Sequence, residues 1–159
     1  MKTLFDRLMD LLREEAVAFE LIRHRTDYTA QETAQDTHTP GRQFLKTVVL
    51  EVDGKLVLVL IPASRLVDLA AAREALGASE VRLASEAQIG ERFPECEVGA
   101  LPPFGPLVDA PVYSTMDLQD DELVTFNAGT HRDAIRMSYG DLRRLARAVP
   151  LPIAQNVAR

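Results

Sequence analysis

Two apolar, β-branched runs on either side of Asp53-Gly54 constrain the fold of this chain more than any other feature. TVVLEV precedes this pair of residues and KLVLVLI follows it. Asp-Gly is a preferred pair for a two-residue hairpin turn, because both positions of that turn need a positive φ. The pattern predicts a β-hairpin from Phe44 to Leu60 and therefore a sheet against which the other elements pack.

Helix signals and shorter strand patterns surround this hairpin. Capping residues and apolar periodicity indicate where the helices begin. The predicted opening helix has its apolar face on Leu4, Leu8, Leu11 and Leu12. Two further helices begin at Thr29 and Ser85, and a third is capped by Asp68 and ends before Gly77. The last helix is capped by Ser138 and runs from about Tyr139 to Val149. Further strands are predicted at AFELI, EVRLA, PVYST, ELVTF and AIRMS. This mixture predicts an α+β (mixed α/β) fold with a mostly antiparallel sheet.

The size and composition of the chain predict one compact domain. It has 159 residues, of which 47% are hydrophobic and 26% charged, as in an ordinary globular domain. We predict that residues 1–150 form this domain and that residues 151–159 form a C-terminal tail. The segment PLPIAQNVAR has no clear period, so we expect the tail to be loosely held.

Charge and cysteine content narrow the classes of function. A net charge of −6 argues against nucleic-acid binding over the whole surface, although a local basic patch can still bind phosphates. Cys96 is the single cysteine, which excludes an internal disulfide framework and a thiolate zinc cluster and fits a reducing cytoplasm. Acidic residues interrupt the apolar pattern of the first helix, so we expect neither a signal peptide nor a membrane span there.

The stretch VGALPPFGP, from Val98 to Pro106, is an unusual loop. It carries no charge, and two adjacent prolines lie inside an apolar run. Proline fixes φ and glycine permits positive φ, so the loop should be stiff, with its remaining N–H groups in fixed directions. Such a loop suits the wall of a pocket, and it equally suits a buried structural turn.

Few side chains in this sequence suggest chemistry on their own. Lys46 begins the most apolar strand, where it either lies on a solvated face or directs its charge at a phosphate or a substrate oxygen. His131 follows a glycine turn and is either solvated or a binding residue. His24, His38 and His131 have no metal-binding spacing, and glutamates beside Cys96 should raise the pKa of its thiol and make it inert. No catalytic triad motif, P-loop or dinucleotide fingerprint is present.

Read in order, several of these segments resemble the YbaK/EbsC family, the free-standing relatives of the editing (insertion) domain of bacterial prolyl-tRNA synthetase. The segments are FLKTVVL before the hairpin turn, LVLVLIP after it, LGASEVRLAS, VGALPPFG and FNAG. The resemblance runs from about Arg23 to Leu145. It implies a curved, mostly antiparallel sheet with surrounding helices, and hydrolysis of mischarged aminoacyl-tRNA, typically alanyl- or cysteinyl-tRNA with a proline anticodon.

The same resemblance implies a set of site residues. Lys46 matches the strand lysine that helps to position the terminal adenosine and its phosphate, and Gly99 to Pro103 matches a G-x-x-x-P loop whose amides hold the substrate carbonyl. The catalytic assignments are Lys46, Gly99, Ala100 and Pro103. The substrate-binding assignments are Thr29, Leu101, Pro102, Asn127, Gly129 and His131. Arg23, Arg25 and Arg42 are the candidate contacts to tRNA.

An aminoacyl ester is already activated, so a bound water helped by the substrate's ribose hydroxyl can hydrolyse it, and we expect no protein nucleophile, cofactor or metal. The expected partners are the acceptor end of mischarged tRNA and a synthetase or other translation factor. We expect no binding to DNA or to a membrane, and we expect the protein to be cytoplasmic. Two alternatives stay open: a non-catalytic module that binds an aminoacyl group or an adenylate-like ligand, and an esterase for small molecules. The sequence does not indicate which amino acid is removed.

Overall fold

The computed structural model describes residues 2–26 and 29–155, and it places eight strands of that part of the chain in one mixed sheet. The strands are β1 (Phe19–Arg23), β2 (Phe44–Val52), β3 (Lys55–Pro62), β4 (Val81–Leu83), β5 (Val112–Ser114), β6 (Leu123–Asn127), β7 (Asp133–Ser138) and β8 (Ala148–Pro150). The helices are α1 (Leu4–Glu14), α2 (Ala30–Asp36), α3 (Leu69–Leu76), α4 (Glu86–Arg92), α5 (Gly105–Val108) and α6 (Tyr139–Ala146).

The sheet has the strand order β1-β7-β6-β2-β3-β5-β8, and β4 pairs with β2 outside this path. Four pairings are antiparallel: β1 with β7, β6 with β7, β2 with β3, and β2 with β4. Three are parallel: β2 with β6, β3 with β5, and β5 with β8. The predicted mixed α/β fold with a mostly antiparallel sheet is therefore confirmed.

The predicted hairpin is formed by β2 and β3. Their antiparallel register runs from Leu45 opposite Pro62 to Val52 opposite Lys55. Asp53 and Gly54 have φ values of 48° and 85°, as a type I′ turn requires. The turn is held from outside the hairpin as well, because the Asp53 carboxylate accepts hydrogen bonds from the amides of residues 79 and 80.

The predicted helix starts are also confirmed. Thr29 and Ser85 each form a capping box with the residue three positions later, which satisfies amides at the start of α2 and α4. Asp68 caps α3, and Gly77 ends that helix in the left-handed conformation.

The end of the last helix differs from the prediction. The sequence pattern extended it to Val149, but α6 ends at Ala146 because Arg147 adopts a left-handed conformation with φ 57°. Residues 148–150 instead form β8, which pairs in parallel with β5. This edge strand has no period of its own, and its partner lies more than thirty residues earlier in the chain.

The expectation of a loosely held tail is wrong for residues 151–155. Ile153 is 1% exposed, and its carbonyl accepts a hydrogen bond from the amide of Asp68. The Arg65 side chain donates to the carbonyls of Ala154 and Gln155. Residues 156–159 lie outside the described part of the chain, and the division of the chain at residue 150 stays a prediction.

The hydrophobic core lies on both faces of the central strands. One face of the sheet packs against α1, α5 and α6, and the other packs against α3 and Ile153. Residues of β2 alternate between these two clusters, with Val49 in the first and Leu50 in the second. Burial on both faces explains why the hairpin sequence is a nearly continuous apolar run. Within residues 2–26 and 29–155, no helix combines the length and apolar character needed to cross a membrane.

Candidate active site

Lys46 lies where one edge of the central strand β2 has no neighbour. Strand β3 pairs with one edge of β2 along nearly its full length. On the other edge, β6 pairs with Phe44 and Leu45, and β4 pairs with residues 50–52. Between these two partners, residues 46–48 form no strand pairing on this edge within the described chain. One edge of β2 is therefore unpaired next to Lys46, which leaves a gap between β4 and β6 in the sheet.

The ammonium group of Lys46 is a half-buried cation without a partner. It forms no ion pair or hydrogen bond with any described residue. Burial lowers the pKa of Lys46 from its ordinary value of 10.5, and burial is the only cause of that shift. An uncompensated buried charge is costly for a fold, so a residue of this kind in a cleft is a candidate for a functional site.

Asn127 is the neighbour of Lys46 on the adjacent strand. Leu45 lies opposite Phe126 at the last paired position between β2 and β6, and Lys46 and Asn127 are the next residues of these two strands. Since side chains alternate along a strand, Lys46 and Asn127 share one face of the sheet, with their Cα atoms about 5 Å apart. The side-chain oxygen Oδ1 of Asn127 is buried and has no hydrogen-bond partner in the described structure. The strand register thus places a cation without an acceptor and an amide oxygen without a donor at adjacent positions.

The stretch that begins VGALPP contains a tight turn. The amide of Ala100 donates to the carbonyl of Glu97 at 3.0 Å, and Gly99 has φ 89°. This geometry is a type II turn, whose third position requires a glycine or similar residue. The residues after the turn are buried: Ala100, Leu101, Pro102, Pro103 and Phe104. The Phe104 ring packs against Phe126, with centroids 5.6 Å apart. The loop is therefore anchored in the core and presents Gly99 to solvent.

The structure joins this turn to the loop after β6. The amide of Glu97 donates to the carbonyl of Gly129, and the amide of Gly129 donates to the carbonyl of Ala100, both at 2.9 Å. His131, which is 7% exposed, lies against Gly99, since a Cβ atom added at Gly99 would be 3.3 Å from its Cε1. The predicted G-x-x-x-P loop and the loop that carries Gly129 and His131 are therefore neighbours.

The amides of the turn differ in their availability. The N–H of Ala100 is committed to the turn, and its carbonyl is committed to Gly129. The N–H groups of Gly99 and Leu101 form no hydrogen bond within the described residues. If the loop donates hydrogen bonds to a substrate carbonyl, the N–H groups of Gly99 and Leu101 are the donors that remain unbonded.

Thr29 has a structural task at the start of α2. Its hydroxyl accepts a hydrogen bond from the Glu32 amide at 3.1 Å and donates one to the Glu32 carboxylate at 3.0 Å. Helix α2 then packs on the sheet through Ala34, which contacts Phe44, two residues before Lys46. Thr29 thus begins the helix beside the candidate site, but its side chain is used for capping.

The three candidate tRNA contacts are all exposed arginines in ion pairs. The pairs are Arg23 with Asp133 at 3.2 Å, Arg25 with Asp36 at 2.6 Å, and Arg42 with Glu122. Each positive charge is therefore offset by a carboxylate on a neighbouring element. The surface around these three arginines therefore has much less positive potential than its arginine content suggests.

Sequence reasoning missed a buried polar network around Arg136. Its guanidinium donates to the Thr37 carbonyl at 2.7 Å, to the Thr39 hydroxyl at 2.9 Å and to the Thr125 hydroxyl at 3.2 Å. Thr125 precedes Asn127 by two residues on β6 and faces the same side of the sheet. Arg136 therefore fastens the turn after α2 to the strand that carries Asn127. The pattern AIRMS predicts a strand but contains no local signal for this role of Arg136.

The environment of Cys96 disfavours the reactive thiolate form of its side chain. Burial, followed by the nearby charges of Glu95 and Glu97, raises the pKa of Cys96 to about 11, which confirms the predicted direction. Among residues 2–26 and 29–155, no group of three or more His, Cys, Asp or Glu side chains is placed to hold a metal ion.

Comparison with known proteins gives consistent matches. Residues 24–145 match the family model described as the aminoacyl-tRNA editing domain. The proline–tRNA ligase of Bacillus mycoides is 33% identical over 92 residues, which cover 58% of this chain and 16% of the ligase. That of Desulfovibrio desulfuricans is 31% identical over 138 residues, which cover 80% of this chain and 24% of the ligase. The chain thus spans at most a quarter of these two ligases.

The fold has close counterparts among solved structures. One is the crystal structure of a candidate trans-editing enzyme for prolyl-tRNA synthetase, which superposes with a TM-score of 0.79 at 23% identity. The alignment covers 98% of this chain and 99% of that one. At this identity the match shows that the two chains share a fold.

Proposed function

This chain belongs to the aminoacyl-tRNA editing domain family, and from that premise we propose that it hydrolyses mischarged aminoacyl-tRNA in trans. The observation that carries the proposal is the half-buried ammonium group of Lys46, which has no carboxylate partner among the described residues and lies beside a gap in the sheet. A cation held in this way suits a phosphate or another oxygen of a bound ligand. The terminal adenosine of tRNA offers a phosphate next to the aminoacyl ester.

The proposed chemistry needs preorganised donors and a water. Water attacks the ester carbonyl, and negative charge develops on the carbonyl oxygen. The N–H groups of Gly99 and Leu101 are the donors that we assign to this oxygen, because the Ala100 amide is already bonded to Glu97. The bond to the ribose oxygen then breaks and that oxygen takes a proton, which releases the free amino acid and the tRNA.

The remaining site assignments support the binding of the acceptor end. Pro102 and Pro103 stiffen the wall behind Leu101, and His131 and Gly129 hold the Gly99 turn in place. Because the matched relatives are proline–tRNA ligases, we propose alanyl- or cysteinyl-tRNA with a proline anticodon as the substrates. Such substrates are present in the cytoplasm, where we place the protein.

The charge distribution affects how tRNA is held. Arg23, Arg25 and Arg42 are each paired with a carboxylate, and the net charge is −6. Phosphate contacts dominate the affinity of proteins for nucleic acids, so we expect weak binding of the tRNA body. A synthetase or other translation factor that binds the same tRNA would supply the missing affinity.

The same ion pairs favour a second candidate function. A site without unpaired arginines around it suits a small ligand. The protein would then be either an esterase for small aminoacyl esters or a module that binds an aminoacyl or adenylate-like group without hydrolysing it. These two alternatives differ from the first proposal in substrate size and in turnover, respectively.

A panel of mischarged tRNAs tests the proposal. Release of the amino acid would be measured for alanyl-, cysteinyl- and seryl-tRNA with a proline anticodon, each with and without a prolyl-tRNA synthetase. Small aminoacyl esters would be assayed in parallel. Hydrolysis of at least one tRNA ester well above the spontaneous rate supports trans-editing. Hydrolysis confined to small esters supports the esterase, and binding without hydrolysis of any ester supports the binding module.

A further inference from the structure

The buried amide oxygen of Asn127 is an acceptor that the described chain leaves unsatisfied. Oδ1 has no hydrogen-bond partner, although nearly all buried polar atoms in folded proteins have one. Asn127 is the last residue of β6 and borders the gap beside Lys46. An orphaned acceptor beside this gap can take its donor from a ligand.

The neighbourhood of Oδ1 restricts the chemistry of that donor. Lys46 lies on the same face of the sheet, with its Cα atom about 5 Å from that of Asn127 by strand spacing, and no described carboxylate compensates its charge, since burial alone shifts its pKa. A second cation at this place would be repelled by the ammonium group. The ligand group next to Oδ1 is therefore a neutral N–H or O–H donor, and the ligand group next to Lys46 is an oxygen acceptor.

We propose that Asn127 is a specificity-determining residue whose Oδ1 accepts a hydrogen bond from a free hydroxyl of the terminal ribose, while Lys46 binds the phosphate of the same nucleotide. This inference rests on the proposed function, because it takes the nucleotide end of an aminoacyl-tRNA as the ligand. A ribose hydroxyl is a neutral donor, and it is joined to a phosphate within one nucleotide. One ligand therefore satisfies both groups.

The proposal has a consequence for selectivity. A site built to hydrogen-bond a hydroxyl rejects the analogue without it, because the protein acceptor is then left unpaired. The nucleotide with its full ribose should bind about tenfold to a hundredfold more tightly than the analogue that lacks the bonded hydroxyl. Asn127 thus lets the site distinguish ribose from deoxyribose at the reactive end.

Adenosine 5′-monophosphate and its 2′-deoxy and 3′-deoxy analogues test this inference by calorimetry or NMR titration. We expect the parent protein to bind one deoxy analogue at least about tenfold more weakly than the full nucleotide. Asn127→Leu should bind all three with similar affinity, and Asn127→Ala serves as a second variant if Leu disturbs the fold. Lys46→Met should weaken all three together and leave their ratio unchanged.

Several results would overturn the assignment: equal binding of the three nucleotides by the parent, a preference that persists without Asn127, or no binding of the full nucleotide at millimolar concentration. Thermal unfolding gives a readout that does not depend on ligands. Asn127→Leu removes an unsatisfied buried acceptor, so its Tm should be equal to or above that of the parent. Because binding is measured apart from hydrolysis, deacylation without ribose selectivity would reject this inference and leave the proposed function in place.

Discussion

The imidazole of His131 is joined to the carbonyl oxygen of Val98 by a hydrogen bond of 2.8 Å from Nε2. Because a carbonyl can only accept, Nε2 carries the proton. The backbone amide of His131 also donates to the Glu97 carboxylate at 3.3 Å. The ring thus braces the Gly99 turn from the side of the β6–β7 loop, which gives His131 a structural task beside the proposed site.

Removal of this brace should loosen the turn. We expect His131→Ala to lower the free energy of unfolding by about 1 kcal/mol, the typical contribution of one hydrogen bond. The rate of deacylation should fall through kcat, because the turn amides are no longer held in place. Chemical denaturation and single-turnover deacylation measure the two effects. Unchanged stability together with a changed choice of amino acid would instead identify His131 as a substrate contact.

Gly99→Val tests the turn itself. A Cβ atom there would lie 3.3 Å from Cε1 of His131, and a β-branched residue is strained at φ 89°. If the turn amides stabilise the oxyanion, kcat should fall on the order of 10²–10³-fold. Substrate affinity should change less, because the charge develops only in the transition state.

Gly54→Val is the matched control for this variant. Gly54 also has a positive φ, 85°, but nothing lies within 4 Å of an added Cβ. It measures the cost of backbone strain in the hairpin turn, away from the site. A folded Gly99→Val protein that hydrolyses mischarged tRNA as fast as Gly54→Val would remove the turn from the mechanism.

Lys46→Met should separate function from stability. We expect most deacylation to be lost, whereas Tm should not fall, because the variant removes a half-buried charge without a partner. The exposed Lys55, on the other strand of the hairpin, is the control, and Lys55→Met should keep parental activity. Equal activity of the two variants would exclude Lys46 from the site.

The lowered pKa of Lys46 also sets the sign of a pH dependence. Its folded pKa lies below the unfolded value of 10.5, so the unfolded chain binds more protons between these two values. The parent should therefore gain stability relative to Lys46→Met as pH rises through that interval. Tm measured for both proteins from neutral to alkaline pH checks this, and a growing deficit of the parent would contradict it.

Cys96 should react slowly with alkylating reagents. With a pKa of about 11, its thiol is almost fully protonated at pH 8, and the thiolate is the reactive form. Mass spectrometry after treatment with iodoacetamide should show a rate far below that of free cysteine, rising steeply towards pH 11. Cys96→Ala should retain deacylation, since no step proposed for the reaction uses the thiol.

Gly105 should not tolerate a side chain. An added Cβ would lie 2.8 Å from the Ala110 carbonyl oxygen and 3.0 Å from that of Ala146. Because both are backbone atoms, Gly105→Ala should cost about 1–3 kcal/mol of unfolding free energy. Gly90→Ala is the control: it lies within α4, its added Cβ has only ordinary contacts, and it should stabilise the protein by up to about 1 kcal/mol. Urea denaturation of both variants tests this contrast.

Local features of this fold could be predicted because their causes are local. The hairpin turn needs positive φ at two adjacent residues, and Asp53-Gly54 supplies it. The caps at Thr29 and Ser85 depend on residues three positions apart. For the same reason, the sequence predicts a stiff loop at Gly99. It does not decide whether this loop is the wall of a pocket or a structural turn.

Features that depend on distant parts of the chain could not be predicted from residues alone. The gap beside Lys46 exists because β4 and β6, which are forty residues apart, share one edge of β2. Arg136 is partly buried because the turn after α2 packs on β6. Val149 lies in a strand because it pairs with the edge strand β5. Each of these contacts joins segments whose separate patterns are ordinary.

The pairing of β1 with β7 sets the order in which this protein can fold during synthesis. Phe19 lies opposite Met137, so β1 leaves the ribosome long before its partner exists. At 5–20 residues per second, that delay is roughly 6–24 s. The hairpin of β2 and β3 can form during this delay, whereas β1 has no partner strand until β7 has been synthesised. The β1 edge of the sheet therefore stays unpaired until β7 has been translated.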